Sequence, residues 1–268
     1  RVEGPKIRWS QAMSAATHWH DLGPRVITGL VLIAIGVTAI WVGGLAFRCF
    51  VAVSLAAMVW EIVAMFMQTP SRKALVVVPL GVIVVMLPML PGLCALILLV
   101  CAGAILADNN RRLASVSIGF VGLAAFGLLG LRSDAGSFWF LWLAAVIVVT
   151  DIAGYFIGRT FGGPLFWPRI SPKKTWSGTA GGWILAGVVG VVFMAVGNAG
   201  PGIVLISVLV SMASQAGDLA ESAVKRRAGV KDASALLPGH GGVLDRFDGF
   251  MGAAFFMLLV DLAIRFPP

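Results

Sequence analysis

The sequence predicts an all-α, polytopic integral membrane protein, with nine transmembrane helices and its polar working loops on the cytoplasmic face. Three observations carry that prediction. Mean hydropathy is +0.96, with 59% apolar and 12% charged residues, where a soluble domain carries roughly 25% charged residues. Apolar runs recur from Val26 to Phe266 between short polar loops. Basic residues concentrate in alternate loops. Helices are the economical answer because every backbone group in lipid must be paired within its own segment.

Residues 1–24 are basic and aromatic, with Lys6, Arg8, Trp9, His18, Trp19 and His20, and read as a cytoplasmic or interfacial segment. His18 and His20 have no carboxylate or cysteine spacing that makes a metal site. Residues 25–268 read as one transmembrane domain, with apolar segments at 26–42, 45–67, 74–87, 93–107, 116–130, 137–158, 183–196, 202–216 and 250–266. Several are shorter than the roughly 20 residues that cross a bilayer, so the helices should extend into flanking positions.

Arg25, Arg72-Lys73, Arg111-Arg112, the 159–182 loop and the 217–248 stretch place positive charge on one side, while the intervening loops carry almost none apart from Arg132. Nine spans with the N-terminus inside satisfy this asymmetry. The net charge of +8 is thus a topology and phosphate-contact signal, with no stripe on a soluble domain to suit nucleic acid. Cys49, Cys94 and Cys101 lie in apolar stretches without disulfide or metal-ligand pairing, as core or lipid-facing thiols. Small residues spaced by four, at Gly154/Gly158, Gly178/Gly182 and Ala186/Gly190, suit close helix approach.

Three polar constellations interrupt this apolar background. Asp218, Glu221, Ser222 and Lys225 recur at helical spacing and share one face of a helix continuing from the eighth segment. A solvated or ion-paired helix end is the plain alternative. Lys231-Asp232, the glycine-flanked His240 and Asp245-Arg246-Phe247-Asp248 follow. Glycines admit close backbone approach to phosphate, and carboxylates are the ligands magnesium prefers. Ser171-Pro172-Lys173-Lys174-Thr175-Trp176-Ser177-Gly178 lacks the order of a P-loop, yet its lysines and hydroxyls suit anionic oxygens. Asp151 and Glu61 lie inside apolar runs, where a carboxylate faces a bundle interior or a polar cavity. An interhelical hydrogen-bonding role is the plain reading of Glu61.

These residues resemble the phosphatidate cytidylyltransferase, or CDP-diacylglycerol synthase, family. Ser222-x-x-Lys225-Arg226, Lys231-Asp232, Ser234, Leu237-Pro238, His240-Gly241-Gly242 and Asp245-Arg246-Phe247-Asp248 follow its signature in order and spacing. Asp151-x-x-x-Tyr155-x-x-Gly158-Arg159 and Ser171 to Trp176 are similar to upstream family motifs, and Ser177 stands where many members carry an acidic residue. Motifs at 151–178 and 217–248 cover the C-terminal half; the N-terminal half agrees as a set of hydrophobic spans.

The resemblance implies transfer of a cytidylyl group from CTP to phosphatidic acid, giving CDP-diacylglycerol and pyrophosphate for phospholipid synthesis. It also implies a membrane-embedded homodimer, with a magnesium site of two ions open to cytoplasmic nucleotide and to membrane lipid. On that basis Asp218, Lys231, Asp232, His240, Asp245 and Asp248 are the expected catalytic set. Ser171, Lys173, Lys174, Thr175, Ser222, Lys225, Arg226 and Arg246 are the expected substrate contacts. Asp218, Asp245 and Asp248 are the expected metal ligands, with Asp151 a further candidate. A transporter or channel for an anionic solute is the competing reading, since polar groups between spans also suit a translocation path.

Overall fold

The computed structural model describes residues 22–67, 72–197, 199–237, 239, 241–264 and 266. The expected interfacial segment falls almost entirely outside them, as do His18, His20 and His240. In chain order the helices are α1 Leu22–Val42, α2 Gly44–Met65, α3 Val77–Met86, α4 Met89–Leu106, α5 Arg111–Gly130, α6 Gly136–Phe161, α7 Trp176–Gly197, α8 Gly202–Arg227 and α9 Leu244–Ile264. A 3-10 turn, Arg72–Val76, leads into α3, and a π-turn, Leu131–Ala135, joins α5 to α6.

Among the described residues, six helical runs are long and apolar enough to cross a membrane, and two apolar helices are shorter. One of the six is the 51-residue run Arg111–Phe161, which contains the π-turn. At 1.5 Å per residue that is about 75 Å of helix, more than twice a hydrocarbon core of about 30 Å. It breaks where Gly136 takes φ +88°, a conformation costly for a residue with a Cβ.

Arg132, the exception to the charge asymmetry, sits in that π-turn and donates from Nε to Ile40 O at 2.8 Å. Helix C-termini leave carbonyls unpaired at the negative end of the macrodipole, so Arg132 caps α1. Its guanidinium lies against Gly43, where an added Cβ would collide with it.

Helices α2, α3, α4 and α5 pack as one group, and α6, α7 and α8 pack in series. Helix α9 lies on both α8 and α5 and joins the two groups. Leu55, Ile62, Leu99, Ile118, Trp142, Leu143 and Ile147 are fully buried at the centre. Ile105, Leu90 and Val196, 70–75% exposed, point outward as suits a lipid solvent. Cys49, Cys94 and Cys101 are exposed on the same apolar surface.

Two sequence expectations change. The 159–182 stretch is not wholly loop: Leu165–Trp167 (β1) pairs antiparallel with Ser171–Thr175 (β2), Leu165 opposite Thr175 and Trp167 opposite Ser171. Prolines at 164, 168 and 172 remove helix donors, while Gly162 and Gly163 at φ +60° and +104° turn the chain out of α6. The fold is therefore all-α apart from one short hairpin. Second, α7, α8 and α9 reach well beyond the apolar segments at 183–196, 202–216 and 250–266. Hydropathy stops where polar side chains begin, but the backbone ladder continues, so most of the polar motif residues stand on packed helices.

Candidate active site

The crossing of α6 and α7 builds one wall. A methyl group on Gly178 would strike Gly154 O and come within 3.2 Å of Gly158 Cα, so small residues at all three positions let the backbones touch. Thr175 Oγ1 accepts from Gly178 N at 3.3 Å, satisfying an orphan donor at the start of α7. Ser177 Oγ donates to Gly162 O at 2.5 Å, tying α7 to the turn after α6. Strand β2 then carries Lys174 to α8, where Nζ forms an ion pair with Asp218. A cleft of about 290 Å³ opens beside this pair, lined by Asp151, Tyr155, Ser171, Lys173, Lys174 and Gln215 among others.

The crossing of α8 and α9 sets the carboxylates next to this cleft. An added Cβ on Gly217 would lie 2.8 Å from Gly252 Cα and 2.6 Å from Asp248 O. This contact sets the Asp218 turn of α8 against the Asp248 turn of α9. Asp248 Oδ1 accepts from Gly249 N at 2.6 Å, and its charge interacts with those of Asp218 and Asp151. Ser222 Oγ donates to Asp218 Oδ1 at 3.4 Å.

One turn further along α8, Lys225 Nζ lies 2.6 Å from Glu221 Oε2 and 2.6 Å from Asp245 Oδ1. Asp245 Oδ2 accepts from Ala233 N at 2.9 Å and Gly242 N at 2.7 Å. Both oxygens of Asp245 are thus engaged, with one of its roughly four lone-pair sites left. Glu221 is buried and its Oε1 has no hydrogen-bond partner.

The loop between α8 and α9 is held by a side chain of α2, from the other helix group. Glu61, on α2 and fully buried, accepts from Ser234 Oγ at 2.6 Å and Val243 N at 2.8 Å through Oε1, and from Leu244 N at 2.7 Å through Oε2. A carboxylate on the first amides of α9 is a favourable cap. An added Cβ on Gly242 would meet Glu61 Oε1 at 2.6 Å, and Gly241 turns at φ +84°. Leu237 N donates to Gly241 O at 2.9 Å, closing the loop on itself.

The expected residues therefore fall into groups. Ser171, Lys173, Lys174 and Thr175 line the cleft with Asp151, and Asp218 and Asp248 stand beside it. Lys225 and Asp245 are joined to each other under the loop. Arg226 is exposed and donates to Val230 O at 3.3 Å; Lys231, Asp232 and Arg246 are exposed around the loop. His240 lies outside the described residues. The sequence assigns Glu61 no partner, and its hydrogen bonds come from a loop more than 170 positions away. Gln215, which no sequence motif singles out, accepts from Trp183 Nε1 through Oε1 at 2.9 Å. The recurrence of Ser207, Ser211, Ser214 and Asp218 on one face of α8 was the available signal, because all three serines are buried.

Carboxylates at Asp151, Asp218 and Asp248 that interact with one another call for positive charge, since unpaired ions are costly away from water. Among the described residues no group of three or more His, Cys, Asp or Glu side chains converges on one point that could hold a metal ion. The donor chemistry nevertheless fits magnesium, which binds through one or two carboxylates together with substrate phosphates.

A family model described as "Cytidylyltransferase family" matches residues 23–263. A phosphatidate cytidylyltransferase of Brucella suis biovar 1 (strain 1330) is 40% identical over 250 residues, covering 89% of this chain and 93% of that protein. One from Staphylococcus saprophyticus is 31% identical over 249 residues, covering 85% and 94%. The chain belongs to the cytidylyltransferase family and is an enzyme of its phosphatidate cytidylyltransferase class.

Proposed function

We propose that this membrane enzyme transfers the cytidylyl group of CTP to phosphatidic acid, releasing pyrophosphate and leaving CDP-diacylglycerol in the bilayer. The observation that carries the reading is the ion pair between Lys174 and Asp218. It joins two motifs distant in sequence at one cleft, where cations and carboxylates stand together.

A non-bridging oxygen of the phosphatidate phosphate attacks the α-phosphorus of CTP. The bond from that phosphorus to the α,β-bridging oxygen breaks, and pyrophosphate leaves with the electron pair. The nucleophile is already anionic, so the protein's task is to align two anions and neutralise charge on the reacting oxygens. Lys173 and Lys174 meet phosphate oxygens at the cleft. Lys225 acts through Asp245, holding the Ala233 and Gly242 amides in place, while Lys231 and Arg226 face nucleotide approaching from water. Asp218 and Asp248 would hold magnesium together with substrate phosphates, with Asp151 and the remaining lone pair of Asp245 as further ligand candidates. The ion supplies charge neutralisation to the phosphates when bound.

Nine crossings with both motif regions on the cytoplasmic side complete the proposal, supported by the charge asymmetry and by the double length of Arg111–Phe161. The homodimer rests on the family resemblance. The anion-transporter reading has no observation in its favour. The test of the reaction is purified protein in lipid nanodiscs with radiolabelled CTP: label should enter lipid, and pyrophosphate should appear, only when CTP and phosphatidate are both present. Release of pyrophosphate without lipid, or none at all, would overturn it. Orientation is tested by single cysteines at Lys173 and Ala235, both exposed, in a background lacking the native thiols. Both should react with impermeant maleimide from the cytoplasmic side; labelling from opposite sides would separate the two motifs.

A further inference from the structure

Behind the reaction cleft, an apolar groove of about 350 Å³ runs between α5 and α8 with α9 at its base, lined by Val116, Phe120 and Val121 of α5, Ala220 and Val224 of α8, and Met251 of α9. Its polar lining includes Glu221 and Asp248, the carboxylates where the groove meets the reaction site. At its other end it runs into a shallower cleft of about 450 Å³ lined by Arg111, Arg112 and Arg227, and Leu113, Val116 and Arg227 belong to both. The three arginines stand at the first turn of α5 and the last turn of α8 and are exposed. Arg111 spends Nε on Ala107 O at 3.1 Å. Among the described residues, the side chains of Arg112 and Arg227 make no hydrogen bond or ion pair.

The dimensions match one leaflet. From Arg111 to Phe120 is about 14 Å of helix at 1.5 Å per residue, close to half of a hydrocarbon core of about 30 Å. A rim of guanidinium groups at headgroup depth above an apolar channel one leaflet long is chemically suited to a phospholipid. Arginine's fork matches a phosphate oxygen pair, and the open face of the channel, where Val116 is 68% exposed, admits acyl chains from the bilayer. Two unpaired cations and the partly committed Arg111 complement a phosphomonoester dianion better than a zwitterionic headgroup. None of these arginines belongs to the signature residues.

We propose that this groove captures phosphatidate from the membrane. The Arg111, Arg112 and Arg227 rim holds the headgroup phosphate, and the channel between α5 and α8 holds acyl chain. Glu221 and Asp248 mark where the occupant passes to the reaction site. This rests on the proposed function for the identity of the lipid, and on the groove's own geometry for the binding.

Two variants test it without disturbing the core: the double exchange Arg112→Ala/Arg227→Ala, and Val116→Trp, which fills the channel from an exposed position. In nanodiscs, the double variant should raise the phosphatidate mole fraction needed for half-maximal rate on the order of ten-fold, leaving kcat and the CTP KM within about two-fold. Val116→Trp should do the same through the acyl chain. Native mass spectrometry without CTP gives an independent readout: wild-type protein should retain phosphatidate over phosphatidylglycerol and phosphatidylcholine, and both variants should lose that retention. Unchanged lipid dependence in both variants overturns the proposal, as does equal retention of phosphatidate by wild type and variants. Preferential retention of phosphatidylglycerol overturns the assignment to phosphatidate. A wild-type protein that makes no CDP-diacylglycerol yet shows arginine-dependent phosphatidate retention would sink the proposed function and leave the groove standing.

Discussion

The α2–α5 group and the α6–α9 group solve the same problem with different chemistry. In the first, contacts are aliphatic and aromatic: Leu55, Val59, Ile62, Leu99 and Ile118 fill the interior. Among its described residues the one buried ion, Glu61, is committed entirely to the neighbouring loop. In the second, glycine pairs bring backbones together at Gly178 and at Gly217/Gly252, and hydroxyls line the seam. Thr150 Oγ1 donates to Ser211 Oγ at 2.8 Å, and Trp142 Nε1 to Ser207 Oγ at 2.9 Å. Apolar packing tolerates volume-conserving exchange, whereas a polar network fails when one member is removed. The first group is thus a scaffold, and the second a positioning device that borrows one carboxylate from it.

The sharpest way to break this contrast is Asp218→Asn, which keeps size and removes charge. Turnover should fall by about 100-fold or more, the scale on which single electrostatic groups act, with thermal stability in detergent nearly unchanged. A near-normal rate in folded protein would remove Asp218 from the reacting centre.

Glu61→Ala carries the contrast into the scaffold. It strips the caps from Val243 and Leu244 and the partner from Ser234, leaving buried donors unsatisfied at a cost on the order of 3 kcal/mol. Unfolding temperature and turnover should fall together, although residue 61 lies outside the proposed substrate contacts. A loss of rate at unchanged stability would instead give Glu61 a direct part in the chemistry, and no change in either would cut the link between the halves.

Gly217→Ala tests the helix crossing. The methyl group would press on Gly252, and overpacking of this kind costs about 1–3 kcal/mol; thermal unfolding should show it, with a partial loss of rate as Asp218 shifts against Asp248. Wild-type stability would mean that α8 and α9 do not approach as closely as the glycines allow. Lys231→Ala should have the smallest effect, a few-fold rise in the CTP KM at similar kcat, as expected for a contact made equally in ground and transition states. Unchanged kinetics across a CTP titration would make Lys231 an ordinary solvated lysine.

Composition and periodicity were enough to read a helical membrane protein, the nine apolar segments and the motif residues, because lipid demands long apolar helices and charges there stand out. Every apolar segment corresponds to a helix in the structure, and Lys174, Asp218, Asp245 and Asp248 were legible as site candidates without coordinates. The polar extensions of α7, α8 and α9 were not, since hydropathy measures solvent preference and not backbone hydrogen bonding. Nor was the division of labour within the signature, in which Lys225 and Asp245 bind each other while Asp218 meets Lys174. Glu61 shows the limit most clearly: its type and burial were readable, but its partners at 234, 243 and 244 follow from how α2 packs beside the start of α9. Local sequence determines which segments are helical and which residues carry charge; which charges meet depends on contacts between helices distant in the chain, and only the tertiary structure decides those.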